Sequence, residues 1–174
     1  MVEMALERLP IDAIRIPVAG FGNLTAGGAR DVTRVLREAA AEWRPHVLNL
    51  AGIDVVEGAD ELQVWVPLEG DSDALRSIAR DVAERVERLR LYVDRRAFRV
   101  ALHVASCTPA TTAEDLDALR DVFRSWVGQT WSVNTLTLFA ATYTHGRSEW
   151  REIDQITLGD QRDRALSDSP AFPN

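Results

Sequence analysis

One order of predicted elements occurs twice in this chain, and this internal repeat constrains the fold more than any other feature. Residues 11–70 predict a strand, a glycine-rich loop, a helix, a strand, a hairpin turn and a further strand. Residues 98–159 predict the same order, and residues 71–97 predict a connecting helix. Each half must bury one apolar face, so we expect the sheets to face each other with the helices outside. The predicted fold class is α+β, with two pseudo-symmetric lobes, each an antiparallel sheet, around a central cleft.

The hydrophobic pattern predicts three helices and six strands within this single bilobal domain. Helices are expected over about 29–44, 71–89 and 111–126, from apolar residues at three- and four-residue spacing. Thr111 and Glu114 have the spacing of a capping box at the start of the third helix. Strands are expected over 11–21, 47–56, 62–68, 98–105, 130–139 and 149–158. Residues 1–10 predict a short leader with one helical turn, and residues 160–174 predict a loose tail.

The composition limits which partners the chain can bind and which metal or disulfide sites it can form. The 174-residue chain has a net charge of −7, whereas proteins that hold many nucleic-acid phosphates need concentrated basic surface, so no long nucleic-acid partner is expected. The longest uncharged run, 125–146, carries many hydroxyl and amide side chains and predicts strands, so no membrane contact is expected. Cys107 is the only cysteine, and His46, His103 and His145 lack metal-ligand spacing. We therefore predict a cytoplasmic protein without a metal or another cofactor.

The basic residues are all arginine, 20 in number, with no lysine. Arginine codons are rich in G and C, so this usage indicates a bacterial source with a GC-rich genome. It carries little information about function.

The stretch 98–106 reads Phe-Arg-Val-Ala-Leu-His-Val-Ala-Ser and precedes a loop, a capped helix and an alternating strand. This order resembles the C-terminal lobe of the 2H phosphoesterases, which include the bacterial 2'-5' RNA ligases and cyclic phosphodiesterases. The family's strand carries a histidine, any residue and a threonine, usually after Phe-Arg-Pro. Phe98 and Arg99 match that pattern. The proline, histidine and threonine positions hold Val100, Ala101 and His103.

The resemblance extends from about residue 14 to residue 158 and includes local similarities at 21–24, 64–71 and 131–138. It places the family's first motif at 15–17, which reads Arg-Ile-Pro, so both motifs are degenerate. In the family, two histidines act as general base and general acid on one phosphodiester. Ala101 cannot move a proton, and Arg15 stays protonated at any useful pH. Conventional phosphodiesterase or RNA ligase activity is therefore not expected.

His103 is the candidate catalytic residue. Side chains alternate along a strand, so His103 is expected on one face with Ala101 and Ala105, while Val100, Leu102 and Val104 face the helices. Two interpretations are open. In the first, His103 hydrogen-bonds or protonates a ligand in the cleft. In the second, it is satisfied by Thr135 or Thr137 on a neighbouring strand, and these two threonines are also candidate ligand-binding residues.

Arg15, Trp65 and Gln63 complete the candidate ligand site. Arg15 falls at the position that matches Ala101 in the other half, where it is either a hook for an anion or a strand-end arginine paired with Asp12 or with a carboxylate between the lobes. Trp65 shares a strand face with Gln63, where it either stacks on a flat ligand or belongs to the core.

Three functions are compatible with these residues. The first, which we favour, is a degenerate 2H-fold protein whose inter-lobe cleft binds a small molecule. The second is an enzyme with altered chemistry on a bacterial metabolite, with His103 as the lone acid or base. The third is an interaction module that recruits a protein partner or a second copy of the chain to form a homodimer.

Overall fold

The computed structural model describes residues 5–58, 60–96, 98–144 and 147–159. It contains three α-helices: α1 (Ala26–Ala40), α2 (Ser72–Arg88) and α3 (Ala113–Phe123). A 3-10 turn covers Ile11–Ala13. The strands are β1 (Leu6–Arg8), β2 (His46–Ala51), β3 (Asp54–Glu57), β4 (Leu62–Gly70), β5 (Ala101–Cys107), β6 (Val127–Val133), β7 (Thr135–Thr144) and β8 (Arg147–Thr157). The predicted α+β class is confirmed.

The strands form a six-stranded antiparallel sheet and a separate two-stranded sheet. In the larger sheet the order is β1, β5, β4, β2 and β6, and β3 pairs with β4 beyond the end of β2. Strands from both halves of the sequence therefore share this sheet. The smaller sheet is the hairpin of β7 and β8, whose pairing runs from Thr135 opposite Thr157 to Thr144 opposite Arg147.

Three core clusters in the described residues hold the helices against the sheets, and one of them joins α3 to β4 and β5 through Leu119, Val64 and Ala105. The first joins α1, α2 and β8 through ten buried side chains, among them Leu36, Val82 and Ile156. The second lies between α2 and the larger sheet, and its buried members are Leu48, Leu68 and Leu75. Both helix faces match the predicted apolar spacing, because residues three and four apart lie on one side of a helix. On α3, only Leu116 and Leu119 are buried, and Val122, which the three-residue spacing after Leu119 predicts on the same face, is 74% exposed.

The ends of the chain depart from the expected strands. Residues 6–8 form β1, paired with the last part of β5, and not a leader with a helical turn. Residues 11–13 form the 3-10 turn, and the rest of the predicted strand 11–21 makes only one bridge, between Gly20 and Asp94. The predicted turn at 145–146 and the tail 160–174 lie outside the described residues.

The other departures are interruptions within predicted strands. The strand predicted over 47–56 is divided into β2 and β3 at Gly52, whose φ of +65° is a conformation that glycine adopts readily. Similarly, the strand predicted over 130–139 is divided at Asn134, between β6 and β7. Within the described residues, no helix is long and apolar enough to cross a bilayer.

The helix α3 begins with a capping box one residue later than predicted. Thr112 accepts a hydrogen bond from the backbone N–H of Asp115, and the Asp115 carboxylate accepts one from the backbone N–H of Thr112. These bonds satisfy amides that have no partner within the helix. The pKa of Asp115 is held below its usual range, mainly by the hydrogen bond from the backbone N–H of Thr112 and secondly by the hydrogen bond from the Thr112 hydroxyl.

We expect Thr112→Ala to lower the free energy of unfolding by about 1 kcal/mol, because it removes the cap of α3. The lowered pKa of Asp115 adds stability above the ordinary aspartate pKa, and this part is lost as the pH falls through the folded-state pKa. Urea denaturation of the wild type and the variant measures both effects. Ser132→Ala, at an exposed position of β6, is the control and should change stability little. Equal stability of wild type and Thr112→Ala would contradict the prediction.

Candidate functional site

Gln63, Trp65 and His103, three of the predicted site residues, lie together on one face of the larger sheet. Trp65 and His103 are direct cross-strand partners, and their rings stack with centroids 5.1 Å apart and an interplanar angle of 17°. The indole N–H of Trp65 donates to the Gln63 side-chain oxygen at 3.2 Å. This stack is built by β4 and β5, because residues opposite each other in a sheet bring their side chains into contact.

Arg99 and Ser106 also belong to this group, although neither was predicted as a site residue. The Arg99 guanidinium lies over the Trp65 ring, 4.9 Å from its centroid. The Ser106 hydroxyl lies 3.5 Å from Nε2 of His103, and the side chain of Ser106 is buried. Arg99 was already present in the Phe-Arg pattern before β5, so that pattern was the signal that identifies it. We call these five residues the Trp65 stack.

An irregularity in β5 explains why Ser106 and not Ala105 joins the stack. Val64 pairs with Ala105 and Trp65 pairs with His103, so Val104 has no partner of its own on β4. An extra residue in one strand shifts the following side chains to the other face. Ala105 is therefore buried in a core cluster with Val64, and the expectation that it shares a face with His103 is wrong.

The main chain of β5 provides a hydrogen-bond partner for the His103 side chain. Its Nε2 lies 3.0 Å from the carbonyl oxygen of Ala105, an acceptor, so Nε2 carries the proton in that bond. In that tautomer Nδ1 is the unprotonated nitrogen. The alternative in which Thr135 or Thr137 satisfies His103 is wrong, because both threonines are on β7, which pairs with β8 and not with β5.

Arg15 lies at the hairpin of β7 and β8. Its guanidinium carbon is 5.0 Å from the ring centroid of Phe139 and 4.5 Å from that of Trp150. Nη2 donates to the main-chain oxygen of Asp12 at 2.7 Å, so Arg15 contacts the Asp12 carbonyl group. Nη1 is buried and has no hydrogen-bond partner among the described residues. We call Arg15, Phe139 and Trp150 the Arg15 clamp.

Thr135 and Thr137 lie on the same strand as Phe139. Residues two apart on a strand share a face, so both threonines point to the side of β7 that carries Phe139. Leu136, between them, packs into the core on the opposite side. The structure therefore divides the predicted ligand-binding residues into two groups, one in the Trp65 stack and one beside the Arg15 clamp.

Both groups are connected to one core cluster. Ile16, next to Arg15, packs on the cluster of Leu48, Leu68 and Leu75, and so does Leu102, next to His103. The segments that carry Arg15 and His103 are thus anchored to the same part of the core.

Solved structures with this architecture are found at low sequence identity. A phosphoesterase structure has a TM-score of 0.61 at 16% identity, over 90% of this chain and 83% of its own. Protein TT0787 of Thermus thermophilus has a TM-score of 0.68 at 14% identity, over 90% of this chain and 84% of its own. LigT of E. coli, solved with 3'-AMP, has a TM-score of 0.61 at 14% identity, over 92% of this chain and 85% of its own. No protein-family model and no curated protein matches the sequence.

The chain has the 2H phosphoesterase fold. The fold predicted from the resemblance is confirmed, although at these identities the likeness concerns the fold alone.

Two cavities in this 2H fold lie away from the Trp65 stack. A groove of about 1020 Å³ runs between α1 and β8. A smaller cavity of about 300 Å³ is lined by Cys107 and by residues before β4 and α3. The pKa of the Cys107 thiol is raised, mainly by burial and secondly by the negative charge of Glu61. A raised pKa keeps the sulfur in its less reactive thiol form, which argues against Cys107 as a nucleophile.

Proposed function

We propose that this protein is a 2H-fold protein without the two-histidine catalytic pair, and that it binds a small, planar, negatively charged molecule between the Trp65 stack and the Arg15 clamp. The observation that carries the proposal is the stack itself. Trp65, His103 and Arg99 present aromatic surface and positive charge at the strand that corresponds to the family's catalytic strand. Aromatic rings and arginine are the side chains that bind a flat anionic ligand.

The residues at the motif positions support binding without conventional catalysis. Ala101, at the histidine position of β5, has no group that can transfer a proton. Arg15, at the histidine position of the first motif, is a permanent cation. The pair therefore lacks the two groups that general acid and general base catalysis near neutral pH requires.

The unpaired nitrogen of Arg15 supports an anionic ligand. A buried guanidinium N–H without an acceptor is unfavourable, because its hydrogen bond to water has been lost. A ligand phosphate or carboxylate oxygen would supply the missing acceptor and form a charge-assisted bond. E. coli LigT has been solved with 3'-AMP and with phosphate, so 3'-AMP is a suitable first probe for this fold.

The wild-type protein is expected to bind 3'-AMP, and Trp65→Ala is expected to weaken the binding about 10-fold, because it removes the ring that holds Arg99 and His103 in place for the ligand. Arg15→Gln should weaken it by a similar factor, since the charge-assisted bond is lost. Isothermal titration calorimetry measures both affinities. Trp126→Ala is the matched control, because Trp126 is partly exposed and contacts Phe123 at the end of α3.

Equal affinity of wild type and Trp65→Ala for 3'-AMP, or the same loss in Trp126→Ala, would refute the proposed position of the ligand. Absence of binding to 3'-AMP and to other flat anions in a thermal-shift screen would refute the proposed function.

An enzyme with altered chemistry is the second candidate, and the hydrogen bond of His103 favours it. Because Nε2 is held by the Ala105 carbonyl oxygen, Nδ1 is the ring nitrogen that can exchange a proton with a substrate. This function requires that His103→Ala abolish turnover of the substrate. Turnover that is unchanged in His103→Ala would exclude it.

A further inference from the structure

The groove between α1 and β8 is lined by four arginines and two carboxylates, and it is separate from the Trp65 stack and the Arg15 clamp. Its floor is made of small side chains, Ala26, Ala29 and Thr33, which leave the space open. A volume of about 1020 Å³ is at the upper end of what small-molecule sites occupy. The basic residues that line it are Arg30, Arg34, Arg37 and Arg151.

The positive charge is concentrated at one end of the groove. Arg37 is neutralised by Asp154, to which it donates two hydrogen bonds of 2.8 and 2.6 Å, and Arg34 lies 3.3 Å from Glu38. Over the part of the chain that the structure describes, neither Arg30 nor Arg151 has a carboxylate within salt-bridge distance.

Arg30 and Arg151 lie at about the same level along α1. The strand β8 runs parallel to α1, since Asp154 binds Arg37 and the later residue Gly159 donates to the carbonyl oxygen of Ala40. Arg151 and Asp154 pair with Ala140 and Leu138, which are two residues apart, so they lie about 7 Å apart along the strand. That length corresponds to about five residues of helix, which places Arg151 across from about Val32, within one helical turn of Arg30.

A bulge in β8 is what turns Arg151 toward α1. Leu138 pairs with Asp154 and Phe139 pairs with Glu152, so Ile153 is the extra residue. Without that residue, Asp154 and Arg151 would lie on opposite faces of the hairpin, because their separation is odd. With it, both point to the face that packs on α1. Bulges often have this effect of redirecting a side chain at a functional site.

The first turn of α1 adds to the positive potential at this end. Ala26 is the first residue of the helix and lines the groove, and the Arg30 side chain is held there by a 3.2 Å bond from Nε to the Ala26 carbonyl oxygen. The N-terminus of a helix carries a partial positive charge and backbone N–H groups without partners in the helix. Two arginines and this helix end therefore converge on the same part of the groove.

We propose that the groove between α1 and β8 is a second ligand site, which binds a phosphate-bearing small molecule with its phosphates at the end formed by Ala26, Arg30 and Arg151. The end closed by the ion pair of Arg37 and Asp154 is electrically balanced, so it holds the uncharged part of the ligand. The overall net charge of −7 makes this local concentration of arginine unsuited to a long polyanion.

The experiment is a calorimetric titration with inorganic pyrophosphate at low ionic strength. Wild-type protein is expected to bind it, and the double variant Arg30→Ala/Arg151→Ala is expected to bind at least about 10-fold more weakly, because charge-assisted bonds are lost. The control is Arg76→Ala/Arg120→Ala, which removes the same charge from α2 and α3. Asp154→Asn should strengthen binding several-fold, because it releases Arg37 from its carboxylate.

The proposal is overturned if the wild-type protein does not bind pyrophosphate. It is also overturned if Arg30→Ala/Arg151→Ala and Arg76→Ala/Arg120→Ala weaken pyrophosphate binding equally, or if Asp154→Asn leaves the binding unchanged or weakens it. Pyrophosphate binding that is lost in Arg15→Gln but kept in Arg30→Ala/Arg151→Ala would also overturn it, since the anion would then occupy the Arg15 clamp. Retained binding in Trp65→Ala is the expected result for a site independent of the stack.

Discussion

The wild-type protein is expected to hydrolyse a 2',3'-cyclic nucleotide no faster than its His103→Ala variant. In the 2H family, one histidine removes a proton from the attacking group and the other donates a proton to the leaving group. Each such proton transfer typically contributes about 10²- to 10⁴-fold to the rate. The proposed function assigns Ala101 and Arg15 to the two histidine positions, and it therefore requires a loss of about 10⁴-fold or more relative to a two-histidine enzyme.

A chromatographic assay of nucleotide product, run beside a two-histidine 2H phosphodiesterase, measures this difference. Turnover at a rate similar to that enzyme would show that the motifs have been assigned to the wrong residues.

The helices were predictable because their buried apolar residues recur with the period of an α-helix. Val32, Leu36, Ala39 and Ala40 recur at three- and four-residue spacing, and all four are buried in α1. The spacing failed at Val122, which is exposed, whereas Leu119 and Phe123 of the same helix pack on the cluster of Val64 and Ala105. Helix formation is local, so a sequence pattern reports it directly.

The strands were less predictable, because their pairing depends on residues far away in the sequence. At three residues, β1 is too short for alternation to indicate it, yet it pairs with the edge of β5, with Leu6 opposite Cys107. The strand predicted over 11–21 fails for the converse reason, since only Gly20 finds a partner, at Asp94. Neither outcome follows from alternation alone.

The candidate site was predictable where side-chain alternation was regular. Gln63 and Trp65 share a face as expected, since β4 is a continuous strand. Ser106 was missed and Ala105 was misplaced, because a one-residue irregularity in β5 leaves no clear mark in the sequence. Arg151 in the α1–β8 groove was missed for the same reason, since the bulge at Ile153 determines which way it points.

The two faces of the β7–β8 hairpin belong to different proposed sites. The hairpin of β7 and β8 has one face toward the Arg15 clamp, with Phe139 and Trp150, and the other toward α1, with Asp154. The same two strands thus contribute to both sites, while the core beneath the Trp65 stack is centred on Leu48. A variant in that core should affect the whole fold, and its effect should be distinguishable from a local loss of ligand binding.

Leu48→Ala is expected to lower the free energy of unfolding by about 4 kcal/mol. Leu48 is fully buried, packs with Leu68 and Leu75, and lies on β2 between β4 and β6. Alanine removes three heavy atoms and leaves a cavity that the two flanking strands prevent from collapsing. Leucine-to-alanine changes in such cores cost about 2–5 kcal/mol, and full burial places this one in the upper part of that range.

Chemical denaturation followed by far-UV circular dichroism measures the change, and Val47→Ala is the matched control. Val47 is the adjacent residue on β2 but is 44% exposed, so its side chain points away from the core and its loss should cost about 1 kcal/mol or less. If Leu48→Ala and Val47→Ala destabilise the protein equally, β2 does not present alternate residues to α2 and to solvent. Ile16 and Leu102 both pack on this cluster, so that result would also remove the common anchor of the Arg15 and His103 segments.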